Sequence, residues 1–203
     1  MALAATPRKM TVDEFLDWHE QQDERYELID GVPVPKYKSL APDGRMMAGA
    51  GRAHNRIFSN VFLMLGNHLR GKPFVPYGSD AAVRTVVDKI RYPDIVIDCS
   101  NSSETDRIFS EPVVVVEILS PTTRKTDLTS KLAEYRAIET MRHILIIDPE
   151  TFEVQRHDCG DLDGFAGFRD LGETVDLPEL SAELPLRDIF AGVPAPQDVP
   201  PYV

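Results

Sequence analysis

The sequence predicts an α/β domain, and three consecutive segments in the middle of the chain carry this prediction. Val113–Leu119 is a β-branched and aliphatic run interrupted by one glutamate, which is typical of a strand buried on both faces. Asp127–Ile138 repeats apolar residues at helical spacing, and His143–Ile147 is a second apolar run. This order predicts a βαβ unit with a right-handed crossover onto a parallel neighbour.

Length and composition indicate one soluble domain, which we place at residues 10–192 with loose termini at 1–9 and 193–203. A hydrophobic content of 42% and a charged content of 27% are ordinary for a globular protein. The apolar runs are too short to cross a bilayer, and residues 1–9 lack the apolar core of a signal peptide. Cys99 and Cys159 form no Cys-x-x-Cys pair, so we expect a reduced, cytoplasmic protein without membrane contact.

The charge distribution is uneven along the chain. The net charge is −11, which argues against a generic nucleic-acid coat protein. The segment from Lys36 to Arg91, however, contains ten basic residues and only three acidic ones. Two interpretations stay open: a positive face turned towards a phosphate backbone, or charges scattered over a solvated surface.

Local signals predict the remaining elements. Thr11 and Glu14 form a capping box before a short amphipathic helix, and Asp30-Gly31 predicts the turn of a hairpin that begins at Tyr26. The other predictions, in chain order, are a mobile loop over Tyr37–Gly51, a helix over Ala53–Leu69, one or two strands in Phe74–Val87, a strand over Ile90–Asp98, a polar loop over Cys99–Glu111, a connector over Ser120–Thr126, a strand over Phe152–His157 pairing with the preceding one, and an acidic, turn-rich tail with a short helix over Leu186–Phe190.

The glutamate inside the aliphatic run predicts chemistry. Burying the unpaired Glu117 carboxylate is costly, and a charged partner or a metal ion is the usual remedy. Asp94 follows Pro93 at the start of strand-like sequence. If the two acids lie on neighbouring strands, they and the backbone carbonyl of Ile118 suit Mg²⁺ (or Mn²⁺), because Mg²⁺ prefers oxygen ligands. Neither acid has the imidazole or thiolate company that suggests zinc.

Four further residues each allow two interpretations. Lys131 borders the apolar face of its helix, so it either acts on an attacking water or phosphoryl group, or reaches solvent over the core. His54 is a site residue or a satisfied core histidine, and Glu27 is a water or metal ligand or a salt-bridge partner. Asp127 is a helix cap or a metal ligand, and because it stands where an N-cap belongs, we expect it to cap its helix.

An ordered series of motifs runs through the chain. It consists of Arg25-Tyr26-Glu27-Leu28-Ile29-Asp30-Gly31, His54, Pro93-Asp94, Val116-Glu117-Ile118-Leu119-Ser120-Pro121-Thr122-Thr123, Asp127, Lys131, Tyr135 and Asp148-Pro149. This series closely resembles the Uma2 family of bacterial proteins, in the PD-(D/E)XK restriction-endonuclease-like superfamily, and the resemblance spans about Met10 to His157.

The resemblance implies a restriction-endonuclease-like mixed β-sheet flanked by helices and a Mg²⁺-dependent nuclease site. Asp94 matches the superfamily aspartate and Glu117 its second acid, while Leu119 stands where the superfamily has lysine. Lys131 looks like the migrated substitute, and we expect Glu27 and His54 to line the cleft.

The resulting hypothesis is metal-dependent hydrolysis of phosphodiester bonds in nucleic acid, DNA being the expected substrate, by a protein for which a homodimer is plausible. Three alternatives stay open. The first is a non-catalytic module that binds nucleic acid or protein, and the second is a phosphoesterase for a small molecule. The third is a buried ion pair of Glu117 with Lys131 without any metal.

Overall fold

The structure, a computed structural model, describes residues 9–36, 51–100, 103, 105–120, 124–160 and 164–195. The loop predicted over residues 37–51 lies outside these ranges except for Gly51, as does most of both predicted loose termini.

The described residues form long runs of short strands separated by a few helices. In chain order they are α1 Val12–His19, β1 Tyr26–Ile29, β2 Val32–Pro35, α2 Arg52–Leu69, β3 Val75–Tyr77, β4 Ala82–Arg84, β5 Ile90–Arg91, β6 Ile95–Asp98, β7 Ile108–Phe109, β8 Pro112–Ile118, α3 Arg124–Thr126, a π-helical segment Asp127–Lys131, α4 Leu132–Arg136, β9 His143–Asp148, β10 Glu153–Asp158, β11 Ala166–Phe168, β12 Thr174–Leu177, a 3₁₀ turn Pro178–Leu180, β13 Ala182–Pro185 and α5 Leu186–Ile189.

The larger sheet contains the predicted βαβ unit. Its strand order is β11-β10-β9-β8-β6-β3, with β8 parallel to β9 and the other pairs antiparallel. Successive side chains of β8 point to opposite faces. Val114 and Val116 join the core beneath α2, whereas Val115 joins the core that Tyr135 of α4 covers. The prediction of a mixed sheet flanked by helices is therefore confirmed.

The N-terminal hairpin belongs to a second sheet, with the order β2-β1-β5-β4-β7. Thr11 and Glu14 form the predicted capping box at the start of α1. Asp30 and Gly31 both have positive φ, 51° and 80°, which is the backbone of the tight turn predicted between β1 and β2. Leu28 of β1 pairs with Ile90 of β5, which attaches the hairpin to the middle of the chain.

The prediction of one strand over Ile90–Asp98 is wrong. The segment divides into β5 of the smaller sheet and β6 of the larger sheet, with Tyr92, Pro93 and Asp94 between them. Proline lacks the N–H that a central strand must donate, so the chain leaves one sheet before Pro93 and enters the other after it. This crossing carries the segment from one core to the other.

Two other segments hold more strand than their sequence indicates. The polar loop predicted over Cys99–Glu111 contains β7, and the tail after Asp158 contains β11, β12 and β13. These strands are two to four residues long, too short to show a period. The predicted short helix near Leu186 is present as α5. No helix in the described part of the chain is long and apolar enough to span a membrane.

Candidate active site

Two buried acids lie side by side in the larger sheet, Asp94 directly before β6 and Glu117 within β8. Ile95 of β6 is opposite Val116 of β8 in an antiparallel pair, so Asp94 and Glu117 are the next residues along that register. Side-chain alternation places both on the face covered by α4. They are only 8% and 3% exposed. The structure thus has the adjacency that the sequence predicts.

Asp94 is held by contacts from two directions. Its Oδ2 accepts a hydrogen bond from the Ile118 N–H at 2.8 Å and lies 3.2 Å from His54 Nε2. Burial acts to raise the pKa of Asp94, but His54, Lys36 and the Ile118 N–H outweigh it and lower that pKa. Asp94 is therefore an anion at neutral pH. His54 therefore lies beside Asp94, and this contact fits both interpretations of His54.

Lys131 points into the protein, and the alternative that it reaches solvent is wrong. Its Nζ lies 3.1 Å from Glu117 Oε1, 2.9 Å from Asp127 Oδ1 and 3.7 Å from Glu27 Oε1, and the residue is 3% exposed. Burial opposes its charge, but the carboxylates of Glu117, Glu27 and Asp127 raise its pKa further. Lys131 is therefore a permanent cation in a cluster of acids.

The prediction that Asp127 caps its helix is also wrong. The helix already begins at Arg124, so Asp127 is internal, 1% exposed and paired with Lys131. Both residues lie in the π-helical segment. Its wider turn aims residues four apart at one point, and such segments are frequent at functional sites.

Glu117 is the acid that burial affects most. Burial, with smaller contributions from Asp127 and Asp94, raises its pKa to about 8 against the opposing charge of Lys131. Tyr135 donates a hydrogen bond to Glu117 Oε1 at 2.7 Å, and burial together with this carboxylate raises the Tyr135 pKa. Lys131 and Tyr135 thus supply two donors to one carboxylate oxygen, and burial remains the main cost of ionising Glu117.

Glu27 is fixed by a buried arginine. Arg91 is 1% exposed, and its Nη1 lies 2.7 Å from Glu27 Oε2. Its Nε and Nη2 donate to both oxygens of Glu134, at 2.7 and 2.9 Å. Burial acts to raise the pKa of Glu134, but Arg91 and Lys89 lower it. Glu27 therefore does form a salt bridge, as considered from the sequence, and it also faces Lys131.

Leu119, the residue that stands where the superfamily has lysine, lies in an apolar environment. Its side chain is 5% exposed and packs in the apolar core with Tyr135 and Val115. No ammonium comes from the strand at this point. Lys131 brings one to Glu117 from the helix instead.

Several basic residues between Lys36 and Arg91 form ion pairs or hydrogen bonds within the protein. Arg91 binds two glutamates, Lys89 pairs with Asp30 and Glu134, and Lys72 donates to the Leu180 carbonyl at 2.7 Å. Their charge stabilises the protein. A positive face towards nucleic acid would have to come from other members of this set.

The carboxylate and carbonyl oxygens at this site suit a hard cation that needs few protein ligands. In the described residues, no group of three or more His, Cys, Asp and Glu side chains is arranged to hold a metal ion. Mg²⁺ needs only one or two carboxylates, because waters and substrate phosphate complete its octahedron. Asp94 and Glu117, with the Ile118 carbonyl, would be its protein ligands. A cation beside Glu117 would offset the cost that burial imposes on its ionised form.

Sequence reasoning missed three residues that contact the cluster or act on its charge: Arg91, Tyr135 and Lys36. Tyr135 was named in the motif series and in an apolar helical stripe but given no part in the site, and Arg91 was counted only as one of ten basic residues. Lys36 lowers the pKa of both Asp94 and Glu117. Arg91 alone carried a usable signal, because an arginine between Ile90 and Tyr92 requires an acidic partner if it is buried.

The Uma2 family model, described as "Putative restriction endonuclease", matches residues 12–186. The chain belongs to the Uma2 family. Two uncharacterized proteins of Synechocystis sp. (strain ATCC 27184 / PCC 6803 / Kazusa) are similar to it. One is 26% identical over 161 residues, covering 77% of this chain and 85% of the relative, and the other is 25% identical over 158 residues, covering 75% and 77%.

A solved structure has the same fold. It is described as a putative nuclease belonging to DUF820 from Anabaena variabilis ATCC 29413, and it superposes with a TM-score of 0.68 at 20% identity. The match covers 90% of this chain and 98% of that one. This Uma2 chain therefore shares the fold of that protein over 90% of its length.

Proposed function

We propose that this Uma2 protein is a nuclease that hydrolyses phosphodiester bonds of nucleic acid with the help of Mg²⁺ or Mn²⁺. The observation that carries the proposal is the pair of Asp94, directly before β6, and Glu117 on the adjacent strand β8, with the buried cation Lys131 in contact with Glu117. The family description and the description of the Anabaena protein as a nuclease support the same reaction class.

The two acids have different parts in this proposal. Asp94 is fixed as an anion by His54 and the Ile118 N–H, so it supplies a carboxylate ligand at neutral pH. Glu117 carries a raised pKa and gains most from a nearby cation. A bound divalent metal would polarise the scissile phosphate and lower the pKa of a coordinated water.

Lys131 acts as a donor in this proposal. Its raised pKa keeps the ammonium protonated, which suits orientation of a water or stabilisation of developing phosphoryl charge and does not suit proton abstraction. Glu27 limits where the ammonium can go, since Arg91 fixes one glutamate oxygen and the other faces Lys131. His54 lines the cleft beside Asp94.

The test is cleavage of plasmid, oligonucleotide DNA and RNA by the purified protein with Mg²⁺, Mn²⁺ or EDTA. Asp94→Asn, Glu117→Gln and Lys131→Met should each lower the rate by about a hundredfold or more. Glu183→Gln, which removes an exposed carboxylate on β13, is the matched control and should cleave like the wild type. Absence of cleavage by the wild type, or equal cleavage by all variants, rejects the proposal.

One observation favours a metal-free alternative. The Glu117–Lys131 contact already pairs each charge, as in a structural ion pair of an inactive binding module. Calorimetric titration with Mn²⁺ separates the two. The nuclease proposal requires binding heat that disappears in Asp94→Asn, whereas a purely structural pair gives none.

A further inference from the structure

A pocket of about 380 Å³ lies beside the candidate active site and has aromatic walls. It is lined by Phe58 of α2, Tyr77 of β3 and Phe109 of β7, with Gly78, Ser79 and Asp80 along its rim. Tyr77 is 37% exposed, and its ring centroid is 4.4 Å from that of Phe109. The aromatic surface is therefore partly open to solvent.

The register of the larger sheet places this pocket next to Asp94. Tyr77 of β3 is opposite Val96 of β6, and Asp94 is two residues before Val96. Because side chains alternate along a strand, Tyr77, Val96 and Asp94 belong to the same face of the sheet. Two residues along a strand correspond to roughly 7 Å.

Helix α2 gives the same placement independently. Phe58 is four residues after His54, so the two side chains share one face of the helix, about 6 Å apart at their Cβ atoms. His54 contacts Asp94 at 3.2 Å. The pocket thus begins one helical turn from the side chain that holds the candidate metal ligand.

The pocket has the chemistry of a base-stacking site. Aromatic rings beside a phosphate-binding centre are how proteins hold unpaired nucleobases, because every base has a face that stacks. Gly78 keeps the space beside the Phe58 ring open, because a Cβ at this position would lie 3.4 Å from that ring. Ser79 and Asp80 offer polar groups at the rim, where the edge of a base would lie.

Resting on the proposed nuclease function, we propose that this pocket stacks an unpaired nucleobase of the substrate strand, next to the phosphodiester held at Asp94 and Glu117. The substrate class is then single-stranded nucleic acid. A base inside a duplex is stacked on its neighbours and reaches such a pocket only after being flipped out.

The test is fluorescence anisotropy with the full chain in EDTA, where cleavage does not interfere. Four probes are compared: a single-stranded oligonucleotide, the same length of abasic sugar-phosphate strand, a blunt duplex, and a free mononucleotide. Wild type should bind the single strand more tightly than the other three. Tyr77→Leu and Phe109→Leu should each weaken single-strand binding between about fivefold and about a hundredfold. They should leave abasic-strand binding unchanged.

Two controls separate stacking from folding. Tyr77→Phe keeps the ring and should bind like the wild type. Phe165→Leu removes another exposed ring, 54% exposed and outside the pocket, and should also have no effect. Thermal unfolding of every variant, measured by circular dichroism, shows that the fold is retained.

The result that overturns the inference is equal binding of base-containing and abasic strands by the wild type, or a Tyr77→Leu variant as tight as the wild type. Mononucleotide binding as tight as that of the oligonucleotide also overturns it, in favour of a small-molecule site. Ring-dependent binding without any cleavage leaves this inference standing and rejects the nuclease. Cleavage that is the same for wild type and Tyr77→Leu, and the same on single-stranded and duplex substrates, supports the nuclease and overturns this inference.

Discussion

Replacing Lys131 by methionine tests the electrostatic core of the site. Methionine keeps most of the buried stem and removes the ammonium. The three carboxylate oxygens at 2.9, 3.1 and 3.7 Å from Nζ then lose their common cation. At an effective dielectric constant of about 20, each contact is worth about 4–6 kcal/mol before desolvation, and the desolvation of the buried ions offsets most of the sum.

The net effect is the cost of leaving buried carboxylates without their partner. We expect the free energy of unfolding at pH 7 to fall by about 3–5 kcal/mol. Adding Asp127→Asn removes the carboxylate 2.9 Å from the former Nζ, so the double variant should recover about 1–3 kcal/mol of that loss. Lys9→Met, at an exposed lysine, is the matched control and should change stability by less than about 0.5 kcal/mol.

Urea unfolding followed by circular dichroism and by the fluorescence of Trp18 measures all four proteins. The reasoning fails if Lys131→Met costs less than about 1 kcal/mol, because the lysine would then behave like a surface residue. It also fails if the double variant is no more stable than Lys131→Met. In that case the acids around Lys131 would not be coupled through it.

Three other predictions concern stability. Burial raises the folded-state pKa of Glu117 to about 8, so between about pH 5 and 8 the folded protein holds a proton that the unfolded chain releases. The free energy of unfolding should therefore fall as pH rises through this range. Glu117→Gln should reduce that fall by about 2–5 kcal/mol, measured by urea unfolding at several pH values. Arg91→Met strands two buried glutamates and should cost about 3–5 kcal/mol in urea unfolding, and an equal cost for the exposed Arg84→Met would contradict this. Gly31→Ala forces a side chain into φ +80°, so it should lower the free energy of unfolding by about 1 kcal/mol or more. Calorimetry should show this as a lower melting temperature, and an unchanged melting temperature would show that the turn tolerates alanine.

The candidate site was predictable where a residue conflicts with its local pattern. Glu117 interrupts an aliphatic strand and Asp94 follows a proline at the start of another, so both were identified without a structure. Lys131 and His54 gave weaker signals, because a polar residue on an apolar helix face has an ordinary structural explanation. Their inward positions depend on how far each helix lies from the sheet, which a linear pattern does not contain.

Asp127 and Arg91 show why the rest was not predictable. Asp127 looked like an N-cap because helix-start signals are local, but the helix begins earlier and widens into a π-helical segment. Arg91 lies in a segment that changes sheets at Pro93, so its two partners come from β1 and α4, far away in the chain. Such pairs form only after distant elements have packed.

The sequence by itself determined the central βαβ unit, the N-terminal hairpin and the presence of two acids that need compensation, since periodicity, turn residues and the cost of burying charge are local properties. Tertiary structure alone decided that Lys131, Tyr135 and Arg91 supply that compensation, and that Tyr77 lies beside Asp94. The physical reason is that side chains meet according to sheet register and helix placement, and both are set by the packing of the whole domain.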